Sequence, residues 1–200
     1  MTETATEMEQ TSVETDESLM AKFQAGDVRA FETLVQRYQG RAVSVAFQYV
    51  HNLEESKDVV QDTFVKIYQA GNSFRKGEKF APWFFRILVN QCVNLYRRKK
   101  IVRFVSIFQN ERDPTRGSLA DLLPDTGATE AESDRRSLVR GAIAQLPEKF
   151  RSIVILRDIE GFSEEETGKI LGIPQGTVKS RLFHARKKLK KILERELKIS

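Results

Sequence analysis

Near the carboxyl end of the chain, six polar, cationic and aromatic side chains are interleaved with an apolar helical stripe. The stripe consists of Val178, Leu182, Ala185 and Leu189. Apolar residues at steps of three and four predict a helix that buries one face and exposes the side chains in between. Those side chains are Lys179, Ser180, Arg181, Phe183, His184 and Arg186. Cations bind phosphates, and hydroxyl and ring groups contact base edges, so this helix is predicted to lie in a groove of duplex DNA.

The residues before this helix predict a second, shorter helix and a tight turn. Ser163 and Glu166 have the spacing of a capping box, which marks a helix start. Gly172 supplies the turn, and Pro174 suits the beginning of the next helix. The pair is therefore predicted to be a helix-turn-helix. A capped helical hairpin with a solvated basic face is the alternative, but nine Lys or Arg against two Glu in residues 179–200 favour a polyanion partner.

A second candidate site lies in the first half of the chain, where aromatic and cationic residues alternate. A loop carries Phe74 and Phe80 among lysines and an arginine, and Trp83 follows it. Aromatic rings among cations hold unstacked bases of single-stranded nucleic acid. A polar line continues along the next helix with Asn90, Asn94, Arg97 and Arg98. Burial in the core is the alternative for the rings, and for Trp83 both interpretations stay open.

No set of residues predicts catalysis. Asp58 and Asp62 are four residues apart on one helix face and can be a metal pair, but an acidic, partner-facing surface is the favoured interpretation. Cys92 is the only cysteine, and its apolar neighbours predict a buried, unreactive thiol. Neither a cofactor nor a metal is therefore predicted, and the chain is not expected to be an enzyme.

The predicted elements are all helical and fall into two small domains. The first spans 18–103 and the second, which contains the helix-turn-helix, spans 136–200. A flexible linker, 104–135, joins them, because its residues lack helical periodicity and are mostly acidic where charged. A short helix within it is predicted at 118–123. Residues 1–17 carry six acids and no Lys or Arg, which predicts a disordered tail.

Turn and cap residues predict where the individual helices begin and end. Ser18 and Asp27 are predicted to cap the first two helices. Turns are predicted at His51 and near Gly71, and Pro82 suits the first turn of the fourth helix.

Overall charge indicates the kind of partner, and hydropathy indicates the cellular location of the protein. The formal net charge is +5 and the sequence pI is about 9.3, values that fit a polyanion partner. No apolar run reaches the length of about 20 residues that a membrane span requires. The amino terminus lacks the basic and apolar regions of a signal peptide. A cytoplasmic protein without membrane insertion is therefore expected.

Four segments of the chain resemble bacterial sigma factors of the extracytoplasmic function (ECF) type, the class with only regions 2 and 4. AGDVRAFETLVQRY is similar to region 2.1 and DVVQDTFVKIY to region 2.2. NSFRKGEKFAPWFFRILVNQCVNLYRRKK is similar to regions 2.3 and 2.4. LPEKFRSIVILRDIEGFSEEETGKILGIPQGTVKSRLFHARKKL is similar to region 4. The segments occur in the family's order and at its separations.

The resemblance implies a dissociable promoter-specificity subunit of core RNA polymerase. Asp58, Gln61 and Asp62 match the helix that docks on the polymerase. The loop from Phe74 to Phe80, with Asn90, Asn94 and Arg97, matches the site for the −10 non-template strand. Lys179, Ser180, Phe183 and His184 match positions that read the −35 duplex, with Arg181 and Arg186 on phosphates. An anti-sigma factor is a further implied partner.

Three features depart from the family pattern. His184 stands where a longer basic residue is frequent, so the −35 preference is expected to differ. Gly168 stands where Ala is frequent, which a close helix crossing would explain. The acidic tail has no counterpart in the shared core. An autonomous helix-turn-helix regulator and an enzyme acting on nucleic acid are the alternatives, but the first leaves the cationic aromatic loop unexplained and the second lacks a catalytic set.

Overall fold

The computed structural model describes residues 14–106 and 130–199, and the regular elements in these two ranges are all helices. They are α1 (Asp16–Gln24), α2 (Val28–Val50), α3 (Leu53–Gln69), α4 (Phe80–Ser106), α5 (Glu130–Ala144), α6 (Glu148–Val154), α7 (Glu164–Leu171) and α8 (Gln175–Ile199). A 3-10 turn, Gly71–Ser73, precedes α4, and a π-helical turn, Ile155–Ile159, extends α6. The predicted all-α class is confirmed. The short helix predicted at 118–123 lies outside the described residues.

Polar caps fix the starts of α2 and α3. The Asp27 carboxylate accepts a hydrogen bond from the Arg29 amide at 3.0 Å, so its predicted capping role is confirmed. The Asn52 side chain caps α3 by accepting from the Glu55 amide at 3.1 Å. His51, just before it, adopts a left-handed backbone conformation with φ 57°, which produces the predicted turn between α2 and α3.

The first helix begins earlier than the sequence indicated. Thr15, not Ser18, is its N-cap and accepts from the Ser18 amide at 3.2 Å. Asp16, assigned to the tail, accepts a hydrogen bond from the Tyr38 hydroxyl at 2.5 Å. Glu17, also assigned to the tail, accepts from the Phe80 amide at 2.9 Å. Both acids lie in the first turn, where the helix dipole favours negative charge, and they fasten α1 to α2 and α4.

Aromatic packing forms the core between α1, α2, α3 and α4. The Tyr38 ring lies 5.1 Å from Phe80 and 5.0 Å from Phe84, centroid to centroid. Phe84 in turn meets Phe64 of α3 at 5.3 Å. Burial and the Asp16 hydrogen bond raise the pKa of Tyr38 above its usual range. These contacts make α1–α4 the N-terminal domain.

The C-terminal domain contains the predicted helix-turn-helix, α7 and α8. The capping box is confirmed, because Ser163 and Glu166 exchange hydrogen bonds at 2.9 and 3.1 Å. Gly172 ends α7 with φ 65°, a backbone conformation that Gly adopts readily. A Cβ on Gly168 would lie 2.8 Å from the Ile173 carbonyl oxygen, so the expected close approach at this position is present.

The two domains pack against each other. Helix α4 contacts α7, and α2 contacts α5. Buried residues from both domains, among them Phe85 and Phe162, belong to one continuous apolar cluster. Helix α4 continues to Ser106 and α5 begins at Glu130, so both helices extend into the residues that the sequence assigned to the linker, 104–135.

Candidate nucleic-acid interface

The outer face of α8 carries the residues that the sequence assigned to duplex DNA. The apolar stripe turns inward: Val178 and Ala185 are fully buried, and Leu182 is nearly so. Between these residues, Lys179, Ser180, Phe183 and His184 are all exposed. Phe183 is 66% exposed, which is unusual for a large apolar side chain, and its ring contacts the His184 ring edge-on at 5.5 Å.

The two arginines assigned to phosphates differ in their surroundings. Arg181 is half-buried on the flank of α8. Arg186 forms a two-pronged ion pair with Asp158, in which Nε donates to Oδ2 at 3.1 Å. The carboxylate raises the pKa of the Arg186 guanidinium further above its ordinary value. Arg186 therefore also fixes α8 to the π-helical turn, a contact that the sequence did not reveal.

The polar line on α4 is accessible. Asn90, Asn94, Arg97 and Arg98 are all exposed and lie on successive turns of one helix. Arg97 already has a partner, Glu148 of α6, whose carboxylate accepts from Nη2 at 2.7 Å. The amide groups of Asn90 and Asn94 can donate to and accept from base edges.

The aromatic rings beside this line lie in the core. Phe74, Phe80 and Trp83 are 7%, 0% and 5% exposed, and their centroids are 5.2–6.1 Å apart. The expectation of an open stacking surface is not met in this conformation, because the rings contact one another and leave no free face. In the same loop, Arg75, Lys76 and Lys79 are exposed, so cations rather than rings form the surface.

A third surface lies on α3. Asp58, Gln61 and Asp62 are exposed, as an acidic partner-facing surface requires. Gln61 also lines an open apolar groove between α2 and α3 with a volume of about 430 Å³. The other lining residues are Phe31, Val35, Gln39, Val43, Lys57, Val60, Phe64, Val65 and Tyr68. The sequence did not predict this groove, because the exposure of two large apolar side chains in α3, Val65 and Tyr68, is visible only in the structure.

Within the described parts of the chain, no three His, Cys, Asp or Glu side chains are grouped closely enough to bind a metal ion. None of the helices there combines the length and the apolar character that crossing a membrane would take. Cys92 is fully buried, and burial raises the pKa of its thiol to about 12.

A helix-turn-helix with an exposed recognition face, next to a second helical domain with its own cationic polar face, defines a DNA-binding transcription factor of two domains. Two family models match these domains: Sigma-70 region 2 at residues 34–101 and Sigma-70 region 4 at residues 136–189. The chain belongs to the ECF sigma factors, and it directs transcription initiation as an alternative sigma factor.

Individual relatives and solved structures support this family assignment. The RNA polymerase sigma-H factor of Pseudomonas aeruginosa is 33% identical over 90% of this chain and 95% of its own length. The ECF RNA polymerase sigma-E factor of Escherichia coli K12 is 36% identical over 86% of this chain and 91% of its own. CnrH, solved in complex with the cytosolic domain of CnrY, superposes with a TM-score of 0.68 at 28% identity, over 90% of this chain and 98% of CnrH. RpoE of Bartonella quintana has the same fold, with a TM-score of 0.66 at 24% identity over 82% of this chain and 96% of RpoE.

Proposed function

We propose that the outer face of α8 reads the −35 promoter element as a duplex. The observation that carries this proposal is the exposure of Lys179, Ser180, Phe183 and His184 opposite a stripe in which Val178, Leu182 and Ala185 are buried. A helix with one exposed polar face and one buried apolar face can place the polar face in the major groove while the apolar face packs on its own domain. Arg181 contacts the phosphate backbone beside it. Arg186 reaches a phosphate only by sharing its guanidinium with Asp158.

The −10 element is held by the exposed face of α4. Asn90 and Asn94 read bases of the non-template strand, while Arg97 and Arg98 attract its phosphates. The exposed loop cations add to this attraction. Phe74, Phe80 and Trp83 contribute in the buried state by shaping the loop, and they stack on bases only if the loop opens.

Core RNA polymerase binds at α3. Asp58, Gln61 and Asp62 supply an acidic, hydrogen-bonding rim, and the groove beside Gln61 supplies apolar area. Half-exposed Val65 and Tyr68 would lose their water on docking, and such burial is favourable. A rim of charge around an apolar centre is the common organisation of a protein interface.

An anti-sigma factor is the further protein partner. The support is the family itself and the solved complex of the similar CnrH with the cytosolic domain of CnrY.

In vitro transcription from a genomic fragment library tests the promoter assignment. Purified bacterial core polymerase is used with and without this chain. New start sites that share spaced −35 and −10 elements are expected. The absence of stimulation, together with tight duplex binding by the chain alone, would instead favour an autonomous helix-turn-helix regulator.

Single substitutions then test the reading residues on the promoter so found. His184→Ala should change base preference within the −35 element and leave start-site melting unchanged. Glu194→Ala, on an exposed position of the same helix, serves as the control. An unaltered −35 profile for His184→Ala would remove this residue from the reading set.

A further inference from the structure

Helix α1 holds the start of the loop that precedes α4. Gln24, the last residue of α1, donates from Nε2 to two backbone carbonyls, those of Gly71 at 2.8 Å and Phe74 at 2.9 Å. The Gly71 oxygen also accepts from the Phe74 amide at 3.1 Å, which closes the 3-10 turn. A side-chain amide has two N–H donors, so Gln24 alone can fix both ends of this turn.

Close packing at Gly71 lets α1 reach the loop. Gly71 is buried, and a Cβ there would lie 2.6 Å from Cε1 of Phe23, the residue before Gln24. The Phe23 ring in turn meets Phe31 at 4.8 Å and Tyr68 at 5.1 Å. A larger side chain at position 71 would displace this ring, so the glycine permits the approach that brings Gln24 to both carbonyls.

The same helix holds the other end of the loop. Phe80 is the first residue of α4, and its amide donates to the Glu17 carboxylate at 2.9 Å. Amides in the first turn of a helix have no partner within that helix, so the carboxylate satisfies one of them and also meets the positive end of the helix dipole. Glu17 and Gln24 lie about 10 Å apart along α1, and the loop is attached at both points.

Between these two attachments the loop forms a turn that carries cations. The Glu78 amide donates to the Arg75 carbonyl at 3.1 Å, and Gly77 has φ 91°, a backbone conformation that glycine supplies to turns. Arg75 and Lys76 are exposed, and no carboxylate within the described residues forms an ion pair with either. The turn is therefore an outward cationic corner whose backbone is fixed on both sides.

We propose that Gln24 and Glu17 are positioning residues for the −10 strand. Helix α1 holds the loop 74–80 by both ends, so that Arg75 and Lys76 present a fixed corner to the DNA backbone. This inference rests on the proposed −10 role of α4 and its loop. A loop that is ordered before binding loses less conformational entropy when it meets single-stranded DNA. Gln24 and Glu17 act through the loop backbone and not by touching DNA.

Backbone nitrogen relaxation, measured by NMR on the full wild-type chain, tests the ordered turn without any substitution. The order parameters of the Lys76 and Gly77 amides should be about 0.85, the value for rigid backbone. Values below about 0.6 would overturn the proposal, because a turn that moves this freely is not held by α1.

Gln24→Met tests the consequence for DNA. Methionine is close to glutamine in length and shape and adds no charge, but it lacks the two N–H donors. Gln36→Met, at an exposed position of α2 outside the proposed sites, is the matched control. Holoenzymes are titrated with a fluorescein-labelled non-template strand of the mapped −10 element. Gln24→Met should bind this strand about tenfold more weakly than the control, because a smaller fraction of loops has the binding conformation. Equal affinities would overturn the proposal.

Glu17 provides a rescue test that separates positioning from folding. Glu17→Gln keeps an oxygen that can accept from the Phe80 amide, whereas Glu17→Met does not. The first variant should bind the −10 strand as wild type does, and the second about tenfold more weakly. Both should bind the −35 duplex equally, since α8 is unchanged. Equal loss in both variants, or loss of −35 binding as well, would show that Glu17 acts on the fold and would refute its positioning role.

Failure of the −10 assignment itself gives a different pattern. In that case an Asn90→Ala holoenzyme would bind the −10 strand as wild type does, while the order parameters of the turn stay high. If instead Asn90→Ala weakens binding and Gln24→Met does not, the −10 assignment stands and the positioning role of α1 is wrong.

Discussion

Arg97 and Glu148 lie 51 residues apart in the chain and form a two-pronged ion pair between the domains. The guanidinium nitrogens Nη2 and Nε contact the two carboxylate oxygens at 2.7 and 3.2 Å. This parallel geometry is the one that arginine also uses for phosphate. If Arg97 has the proposed −10 role, the Glu148 carboxylate competes with a DNA phosphate for the same guanidinium.

High salt should weaken the ion pairs between the two domains. Raising ionic strength to the molar range shortens the screening length to about 3 Å, which weakens exposed ion pairs such as Lys79–Glu166. The Lys79 ammonium lies 2.9 Å from the Glu166 carboxylate, and a carbodiimide can join two such groups as an amide while they are in contact. The yield of this cross-link, measured by peptide mass spectrometry, should therefore fall as salt rises. The intrahelical pair Glu165–Lys169, at 2.7 Å, controls for the cross-linking chemistry because its partners stay on one helix. A yield that stays constant relative to this control would mean that the aromatic contacts alone hold the domains.

Replacing Phe80 by Ala should strongly destabilise the N-terminal domain. A loss of DNA binding in this variant would then reflect unfolding rather than a missing contact with DNA. The ring is fully buried and contacts Tyr38, Phe74, Trp83 and Phe84. Truncating a buried Phe costs about 3–5 kcal/mol, which is much of the stability of a small domain. Denaturant unfolding measures this loss. A cost below about 1 kcal/mol would mean that the ring is free to leave the core.

Local patterns predicted most of the helices because caps and stripes act over a few residues. Asp27, Ser163 with Glu166, and the stripe from Val178 to Ala185 have the predicted roles. The start of α1 was misplaced because its acids were assigned to the tail by composition. Their partners, such as Tyr38, are distant in sequence.

The burial of the rings at the proposed −10 surface could not be predicted in this way. The sequence shows aromatic rings and cations in one loop, but it does not show which of them face inward. Burial of Phe74 and Trp83 depends on packing among elements from several parts of the chain. The partners of Lys79 and Arg97 come from the other domain, so neither propensity nor spacing identifies them.

Gly168→Ala should destabilise the helix-turn-helix. The added methyl would meet the Ile173 carbonyl oxygen at 2.8 Å, and backbone cannot easily move aside. Overpacking costs about 1–3 kcal/mol, of which the better helix propensity of Ala offsets about 1 kcal/mol. Thermal unfolding should show a lower melting temperature for Gly168→Ala. The control, Gly141→Ala in α5, should raise the melting temperature, because the added methyl meets nothing within 4 Å. Stabilisation by both substitutions would argue against the close approach.

Cys92 should resist thiol reagents in the folded chain. Burial raises the pKa of its thiol to about 12, so the reactive thiolate is scarce at neutral pH, and reagent access is blocked. Modification by a chromogenic disulfide should be slow in buffer and should reach one thiol per chain in denaturant. Rapid reaction of the native protein would show that the N-terminal core opens readily.

Acid should weaken the contact between Glu166 and the N-terminal domain. The Lys79 ammonium and the Ser163 amide hold the pKa of the Glu166 carboxyl at about 2, below its ordinary 4.5. A lowered pKa in the folded state stabilises the fold above pH 4.5, and this stabilisation is lost as pH falls from 4.5 towards 2. Glu166→Gln retains a side-chain acceptor for the capping box but no charge. Wild type should therefore be more stable than this variant at pH 6, and the difference should shrink steadily on acidification, as measured by denaturant unfolding at each pH. A difference that does not depend on pH would show that the carboxylate stabilises the chain through its shape alone, and the charge on Lys79 would then have no part in holding the domains together.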